Sequence, residues 1–511
     1  MKRDLEDASD QPVRKRVRQV DRISSLSDEV LVRILSFLPI ESLIHTQNIS
    51  RKFNRIGGDS QLWKALYYDR FVRPRASRIP NLKESERVSE QLHFSSKISK
   101  WLDEENLVKR GTETNWKRQY KLRHNWAKGT CNVAELEVSE EPPVPSLLVR
   151  FHKGVIYTVD SVGGLRAFSA KTRQRLLACY NLQDEERNPP TAIAVDAQDT
   201  QDGAHRITIG FQNGRFSVYE HSIRSSTLSP VYTHPPSSNG AITAVALSLP
   251  FILTLSSTHL LSLYRFPSPS PLSSPHLLHS FTSQTVSPPV SLSLRQSPTL
   301  LTASIAYPVS SPFLPWKSGL QELRLSLTGV LLSSRTAVAH PRAGESSVTP
   351  SIPRLVRHSR PTALSYSHPY LLMAHPENTL TLSMVTSTPE GLAISAGRVL
   401  WGHLSAVTAA HVSPKGRAVS VGRGEEGEVR VWELEGFGGP RGAEDATSVI
   451  VDPGVEGPEE MCPVTAARYN RVQLWLGHVP QPGWVGFDEE NVVVWKGREE
   501  GGQKVLIYNF A

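Results

Sequence analysis

The feature that most constrains the fold is a short strand-like motif that recurs through residues 131–511. Each copy alternates apolar or aromatic with polar residues and is bordered by residues typical of tight turns. The seven copies are GGLRAFSAKT from Gly163, NGRFSVYEHS from Asn213, HLLSLYRF from His259, LQELRLSL from Leu320, ENTLTLSMV from Glu377, GEVRVWELEG from Gly427 and QKVLIYNF from Gln503. Such units stack as blades that cover each other's apolar faces. The pattern predicts an all-β propeller of about seven blades.

The copies are spaced more widely than the roughly 40–45 residues of a compact four-stranded repeat, so insertions must separate some strands. Three segments are rich in Ser, Pro or Gly and poor in core-forming residues, namely 267–290, 339–359 and 436–460. We expect these insertions to be disordered, because they lack the apolar residues that ordering requires.

A ring of blades must close, since an unpaired terminal sheet leaves an exposed edge. The last copy supplies GWVGF, NVVVW and KVLIYNF and then stops after three strands. The run CNVAELEV, just before the first blade, belongs to no copy. We predict that residues 131–138 form the outer strand of the last blade.

The sixth copy resembles a WD repeat. Gly402 and His403 precede the strand VTAAHVS, and Trp432 with Glu433 ends the strand VRVWE. In WD repeats the histidine is hydrogen-bonded under the tryptophan, often with an aspartate between the second and third strands. This chain has residues 424–427 at that point, a run of Gly and Glu, so we expect the network to be incomplete.

Ahead of the repeats, apolar residues with helical spacing predict a small helical module. Ser27 precedes two acidic residues at the first helix, Pro39 ends it, and Gly57 with Gly58 separates the later segments, which gives three predicted helices. So short a bundle has more apolar surface than its own core hides. We therefore expect part of this surface to stay exposed until another protein covers it.

The stretch from Ile23 to Phe71 resembles an F-box, although Ser27 replaces the usual proline, which suggests a lower adaptor affinity. The resemblance implies docking to the Skp adaptor, and through it to a cullin, so that the propeller would hold a protein substrate for ubiquitination. The adaptor-binding residues that it implies are Leu26, Glu29, Leu31, Ile34, Leu35, Leu38, Leu43, Phe53 and Trp63. The alternative is a propeller scaffold for nuclear protein–protein interactions, without a ligase.

The predicted organisation has four parts: a disordered basic tail over 1–22, the all-α F-box over 23–71, a helical linker over 72–130, and the all-β, seven-bladed, WD-repeat-like propeller over 131–511. In the tail, two basic clusters lie ten residues apart and resemble a bipartite nuclear localisation signal: Lys2, Arg3, Arg14, Lys15, Arg16 and Arg18. A solvated basic tail is the plain alternative. The signal predicts that the protein is located in the nucleus, with the cytoplasm as a second location.

Composition excludes several classes of protein. Residues 1–130 carry 27 of the 57 Lys and Arg and 17 of the 49 Asp and Glu, so the propeller region has no basic surplus and nucleic acid is not expected as a partner. No apolar run is long enough to cross a membrane. Three widely spaced cysteines build neither a disulfide framework nor a zinc site.

No nucleophile, phosphate-binding or metal motif is present, so we expect no enzyme activity, cofactor or metal. His276 and His279 have ligand spacing but lack further ligands nearby. Relatives with F-boxes and WD repeats often hold phosphorylated substrates through arginines on the propeller, because guanidinium binds phosphate in a bidentate manner. The candidates for binding a protein substrate, whether phosphorylated or unmodified, are Arg423, Arg150 and Arg295. Chance explains the presence of an arginine at each of these positions equally well.

Overall fold

The computed structural model describes residues 21–73, 114–171, 175–182, 188–198, 203–268, 272–282, 286–311, 314–340, 359–423, 427–434, 447–453, 483–497 and 502–511. The chain divides into two compact units, Met1–Tyr120 and Lys121–Ala511. The basic clusters of the tail and most of the predicted linker lie outside the described residues. Among the described helices, none is long and apolar enough to span a bilayer.

The first unit is a bundle of short helices: α1 Asp28–Leu35, α2 Ile40–Thr46, α3 Arg51–Gly57, α4 Ser60–Tyr67 with a π-helical turn over Tyr68–Val72, and the start of α5, Trp116–Lys128. The sequence predicted three helices up to Phe71, and this was wrong because the described residues there form four α-helices. The second predicted helix ends at Thr46, and Ser50 starts a new one, because its hydroxyl accepts a hydrogen bond from the backbone N–H of Phe53 at 3.3 Å.

The second unit is a ring of seven antiparallel sheets, which confirms the predicted propeller. The first strands of neighbouring blades contact each other all the way round the ring, so they form its inner wall. Blade 1 consists of β2 Leu148–His152, β3 Val155–Asp160, β4 Gly164–Ser169 and β5 Leu176–Tyr180. Blade 2 consists of β6 Pro190–Val195, β7 Ala204–Phe211, β8 Phe216–Ser222 and β9 Thr227–His234. Blade 3 consists of β10 Ile242–Ser248, β11 Phe251–Ser256, β12 Leu260–Arg265 and β13 His276–Thr282.

The other four blades complete the ring, and most strand interiors are buried because both faces of each sheet meet a neighbouring blade. Blade 4 consists of β14 Ser291–Gln296, β15 Leu300–Ser311, β16 Leu314–Ser326 and β17 Leu331–Val338, and blade 5 of β18 Ala363–Ser367, β19 Tyr370–Ala374, β20 Leu380–Ser387, β21 Leu392–Ile394 and β22 Arg398–Leu400. Blade 6 consists of β23 Val407–Val412, β24 Arg417–Gly422, β25 Val429–Glu433 and β26 Thr447–Ile450. Blade 7 consists of β28 Gly483–Phe487, β29 Asn491–Lys496, β30 Gln503–Asn509 and β1 Thr130–Ser139.

The ring closes as predicted, with β1 as the outer strand of the last blade. β1 pairs antiparallel with β30, in a register that sets Asn132 opposite Asn509 and Leu136 opposite Val505. A short strand, β27 Asp452–Pro453, pairs in parallel with the start of β1. The N-terminal and C-terminal ends of the propeller region therefore share one sheet, which leaves no open gap between the first and last blades.

Two of the insertions expected to be disordered contain strands. Within 267–290, the run His276–Thr282 is the outer strand of blade 3, paired with β12. Within 436–460, Thr447–Ile450 is the outer strand of blade 6. The prediction failed there because outer strands have one solvent-facing side and need fewer apolar residues. In the third insertion, residues 341–358 lie outside the described part of the chain.

The second half of α5 packs on the propeller. The indole of Trp126 stacks on Phe510 with ring centroids 4.1 Å apart and donates a hydrogen bond from Nε1 to the carbonyl of Glu489 at 2.8 Å. Gly129 then turns the chain into β1 with φ of +76°. A Cβ atom there would lie 2.1 Å from the carbonyl oxygen of Ile450, so only glycine fits.

Candidate functional site

The helical module carries a set of apolar side chains on its surface. Val30 and Ile34 lie one turn apart on α1, and Phe37, just after the helix, is 72% exposed. Residues at such spacing share one face of a helix. On and after α2, Ile44 and Ile49 are also exposed. We call these five residues the module patch, and exposed apolar surface is typical of protein interaction sites.

Four of the nine predicted adaptor-binding residues lie elsewhere. Leu31, Leu35, Leu43 and Trp63 are almost completely buried in the module's own core. The indole Nε1 of Trp63 also donates a hydrogen bond to the carbonyl of Gly57 at 2.8 Å. In this conformation their side chains cannot contact an adaptor, so the prediction is corrected: they hold the helices together beneath the module patch.

The other predicted adaptor residues are accessible to different degrees. Ile34 and Glu29 are exposed, whereas Leu26, Leu38 and Phe53 are half-buried at the edge of the core. The predicted adaptor residues did not include Val30, Phe37, Ile44 or Ile49, although Val30, Ile34 and Phe37 form a second apolar series along the first helix that is visible in the sequence. Their roles in binding remain predictions, since the geometry establishes only their exposure.

Ion pairs fix the start of α1. Asp28 accepts a hydrogen bond from the Arg55 guanidinium at 2.6 Å and lies 3.6 Å from Lys52 Nζ. The same ammonium group donates to the carbonyls of Ser24 and Leu26. Ser27 stands at the N-cap position but makes no capping hydrogen bond through its side chain. Contacts to α3 therefore position α1.

On the propeller, antiparallel topology defines two faces. The loops between the second and third strands of each blade, and those between blades, lie on one side, which we call the upper face. The loops between the first and second strands and between the third and fourth lie on the lower face. Arg423 follows β24 and lies on the upper face, whereas Arg295 is near the lower end of β14 and Arg150 is in the middle of β2. The three predicted arginines therefore do not form one site.

Arg295 points toward a carboxylate. Its Nη2 lies 4.0 Å from Glu322 Oε2, and the Glu322 side chain is fully buried and paired with Arg335 through the other oxygen. The charge of Arg295 is thus partly neutralised within blade 4. This arrangement accounts for Arg295 as part of a structural network.

Arg150 lies in the central channel beside His411. The imidazole of His411 is solvent-accessible but is surrounded by inner strands, with Phe487 at a ring distance of 5.5 Å and Ser365 Oγ at 3.3 Å. Inside the ring both side chains are shielded from bulk water by the surrounding strands. This desolvation lowers the pKa of Arg150 to about 10, and desolvation followed by the charge of Arg150 lowers the pKa of His411 to about 4. Among the described residues, no carboxylate pairs with Arg150.

In blade 6 the tryptophan, a serine and the histidine are linked by hydrogen bonds, and a glutamate carboxylate lies beside the histidine. Trp432 Nε1 donates to Ser420 Oγ at 2.8 Å, and Ser420 Oγ lies 2.6 Å from His403 Nε2. His403 Nδ1 lies 3.0 Å from Glu428 Oε1. Glu428, one position beyond the run that was considered, supplies the carboxylate expected of an aspartate. Burial alone would raise the pKa of Glu428, but hydrogen bonds from His403, the Leu404 N–H and Arg430 lower it to about 2.

Within the described part of the chain, no group of three or more His, Cys, Asp or Glu residues is arranged to hold a metal ion. His279, one of the two histidines with ligand spacing, instead forms a hydrogen bond with the carbonyl of Gly329 at 2.8 Å.

Comparison with known proteins agrees with both units. The family model described as the F-box protein pof12 beta-propeller matches residues 131–511, and an F-box-like model matches residues 23–69. The chain belongs to the F-box protein pof12 β-propeller family. Membership confirms an F-box protein with a propeller, as the sequence predicted.

Curated relatives share parts of the chain. F-box protein dre-1 of Caenorhabditis elegans is 41% identical over 49 residues, which are 10% of this chain and 5% of that protein. An F-box protein of Saccharomyces cerevisiae is 25% identical over 167 residues, which are 31% of this chain and 25% of that protein. The chain therefore matches a quarter or less of the length of either relative.

Solved propellers resemble the chain distantly. The WD40 propeller domain of Doa1 covers 74% of the chain and is matched over 95% of its own length, at 11% identity and a TM-score of 0.38. The structure of U3-55K covers 74% of the chain and is matched over 98% of its length, at 10% identity and a TM-score of 0.41. The fold assignment rests on the strand pairing itself.

Proposed function

We propose that the protein is the substrate-recognition subunit of an SCF ubiquitin ligase. In this proposal the F-box module docks on a Skp adaptor, which is held by a cullin, and the propeller binds a protein substrate. The observation that carries the proposal is the module patch, in which five large apolar side chains are exposed on a module of about 50 residues matched by the F-box-like model. Covering such a patch with a partner removes apolar surface from water.

The protein acts without a catalytic step of its own in this proposal. Holding a substrate near the ubiquitin-carrying enzyme raises its effective concentration there, and this proximity is the whole contribution of a receptor.

Co-purification tests the proposal. The full-length protein and a variant with Phe37→Asp and Ile34→Asp are expressed with an affinity tag, and bound adaptor and cullin are quantified. We expect both partners with the unmodified protein and a loss of at least tenfold with the variant, because two charges would be buried in an apolar contact. Absence of adaptor from the unmodified protein would contradict the proposal and favour the scaffold alternative.

We further propose that the protein works in the nucleus, directed by the basic clusters of residues 1–18. The support is their charge and spacing, since import receptors bind paired basic clusters in an extended chain. Fluorescence microscopy of a protein without these residues tests the proposal, and an unchanged nuclear fraction would reject it.

A further inference from the structure

The most exposed large apolar side chains of the propeller all lie on its upper face. Among the described residues, Val144, Val162, Trp401 and Leu404 are between 70% and 87% exposed. Val144 lies between β1 and β2, Val162 between β3 and β4, and the other two between β22 and β23. Isolated apolar side chains are common on surfaces, but four on one face, including a tryptophan, indicate a binding surface.

The loop that carries Trp401 and Leu404 is fixed from both sides. The backbone N–H of Leu404 donates to Glu428 Oε1 at 2.7 Å, and its carbonyl accepts from Asn378 Nδ2 at 3.3 Å. Between the two apolar residues, His403 is buried in the blade 6 network. The one blade with the WD-repeat signature therefore presents its exposed apolar residues on a rigid loop.

The second apolar pair is also held in place. Ser161 Oγ donates to the carbonyl of Val144 at 3.2 Å, which ties the two loops together. The backbone N–H of Val162 donates to Asp160 Oδ1 at 2.8 Å, and Asp160 is paired with Arg166. A loop whose backbone is already held loses little backbone conformational entropy when a partner covers it, so both loops are preorganised for binding.

We propose that the upper face binds a protein segment through apolar side chains, with Trp401 and Leu404 as the main contact and Val144 and Val162 as a second one. This inference rests on the proposed function and names its substrate class: an unphosphorylated segment with aliphatic or aromatic anchors. Buried tryptophans dominate binding energy in many interfaces. The separation of the predicted arginines argues against a phosphate site built from all three.

The arrangement favours an extended segment over a second copy of the chain. The apolar residues form two separate pairs, one on the connection between blades 5 and 6 and the other on the connection between blades 7 and 1 together with the β3–β4 loop of blade 1. A stable dimer buries about 1,200–2,000 Å² in one continuous, well-packed contact. A chain that crosses the face places single side chains on each pair instead.

Peptide selection tests the proposal. A phage-displayed library of random 12-residue peptides is panned on the full-length protein, and selected peptides are synthesised without phosphate. We expect shared aliphatic or aromatic anchors, and at least a tenfold loss of affinity with Trp401→Ser or Leu404→Ser. The matched control is Leu332→Ser, another exposed apolar position, which lies on the outer strand β17 and should leave affinity unchanged.

Three results would overturn the inference. Peptides could bind Trp401→Ser as tightly as the unmodified protein, or panning could enrich no peptide that depends on Trp401. Sedimentation velocity could also show a dimer that Trp401→Ser dissociates, which would make a second copy the occupant. Adaptor binding is measured on the same samples and depends on the module patch, so its failure would reject the proposed function alone.

Discussion

The helical module and the propeller differ in how they keep apolar side chains away from solvent. The module buries Leu31 and Trp63 in a small core and leaves the module patch open to solvent. The propeller covers nearly every sheet face with the next blade and closes the ring with β1. The contrast agrees with the two proposals: the module exposes the apolar residues of the module patch, and among the described residues of the propeller the most exposed large apolar side chains lie on the upper face.

The largest expected effect comes from breaking ring closure. Leu136→Asp places a charge at a buried position of β1, packed against residues such as Val149 and Ile507. Burial of an unpaired charge should cost on the order of 3–5 kcal/mol. We expect a lower melting temperature of the propeller in calorimetry, with Glu135→Gln as the control, because Glu135 forms only an exposed ion pair with Lys504. Equal melting temperatures would show that β1 does not hold the ring closed.

A second prediction separates core from patch within the module. Leu31→Ala should destabilise the module by about 2–5 kcal/mol, because it leaves a cavity in the core. Ile34→Ala, one turn away and exposed, should change stability by roughly 0.5 kcal/mol or less. Hydrogen exchange of the amides in α1 and α4 measures both. A similar loss of stability in the two variants would mean that the module patch is part of the core.

A third prediction concerns acid. Tyr157 Oη lies 2.7 Å from His205 Nδ1 and 2.8 Å from His221 Nδ1, and the ring of His152 packs against that of His205. Burial, followed by neighbouring charges that include Lys153, lowers the pKa of His152 and of His205 from 6.5 to about 4, and burial lowers the pKa of His221.

Between pH 6.5 and about 4, His152 and His205 bind protons in the unfolded chain but not in the folded one, and the lowered pKa of His221 acts in the same direction. The free energy of unfolding of the propeller should therefore decrease as pH falls through this window, with no contribution from these groups above it. Urea denaturation across the window measures the slope, and His205→Gln should flatten it. An identical slope in the variant would contradict this explanation.

The smallest expected effect is in the blade 6 network. Trp432→Phe removes the N–H that donates to Ser420 and should cost about 1 kcal/mol. Exchange of the amides of residues 402–406 should also become faster, because the loop loses part of its support. Trp401→Phe is the control, since its side chain is exposed and should leave exchange unchanged. Unchanged amide exchange in Trp432→Phe would show that the hydrogen-bond network of blade 6 does not support the loop.

The propeller was predictable because its repeats are local in sequence. The alternation of the repeated strands fixed the fold, and the need to remove an open edge identified residues 131–138 as the closing strand. Strand β13 was missed because its segment is rich in Ser and Pro, although His276–Thr282 alone is compatible with a strand. Glu428 was missed because an aspartate was sought one position earlier.

The binding surfaces were less predictable, since spacing alone does not tell which side of a helix faces its core. On α1, Leu31 with Leu35 and Val30 with Ile34 are two apolar series of the same spacing. Only the packing of α3, α4 and α5 decides that the first is buried. Exposure of Trp401 depends in the same way on the tertiary arrangement of its loop, which no periodic pattern records.

The most direct measurement of the central claim is isothermal titration of the Skp adaptor into the full-length protein and into two single variants. Phe37→Asp alters the most exposed residue of the module patch, and Leu332→Asp alters an exposed apolar residue of the propeller. We predict binding to the unmodified protein and to Leu332→Asp with the same affinity, and at least tenfold weaker binding to Phe37→Asp. Equal affinity of all three proteins for the adaptor, or no binding by any of them, would contradict the account.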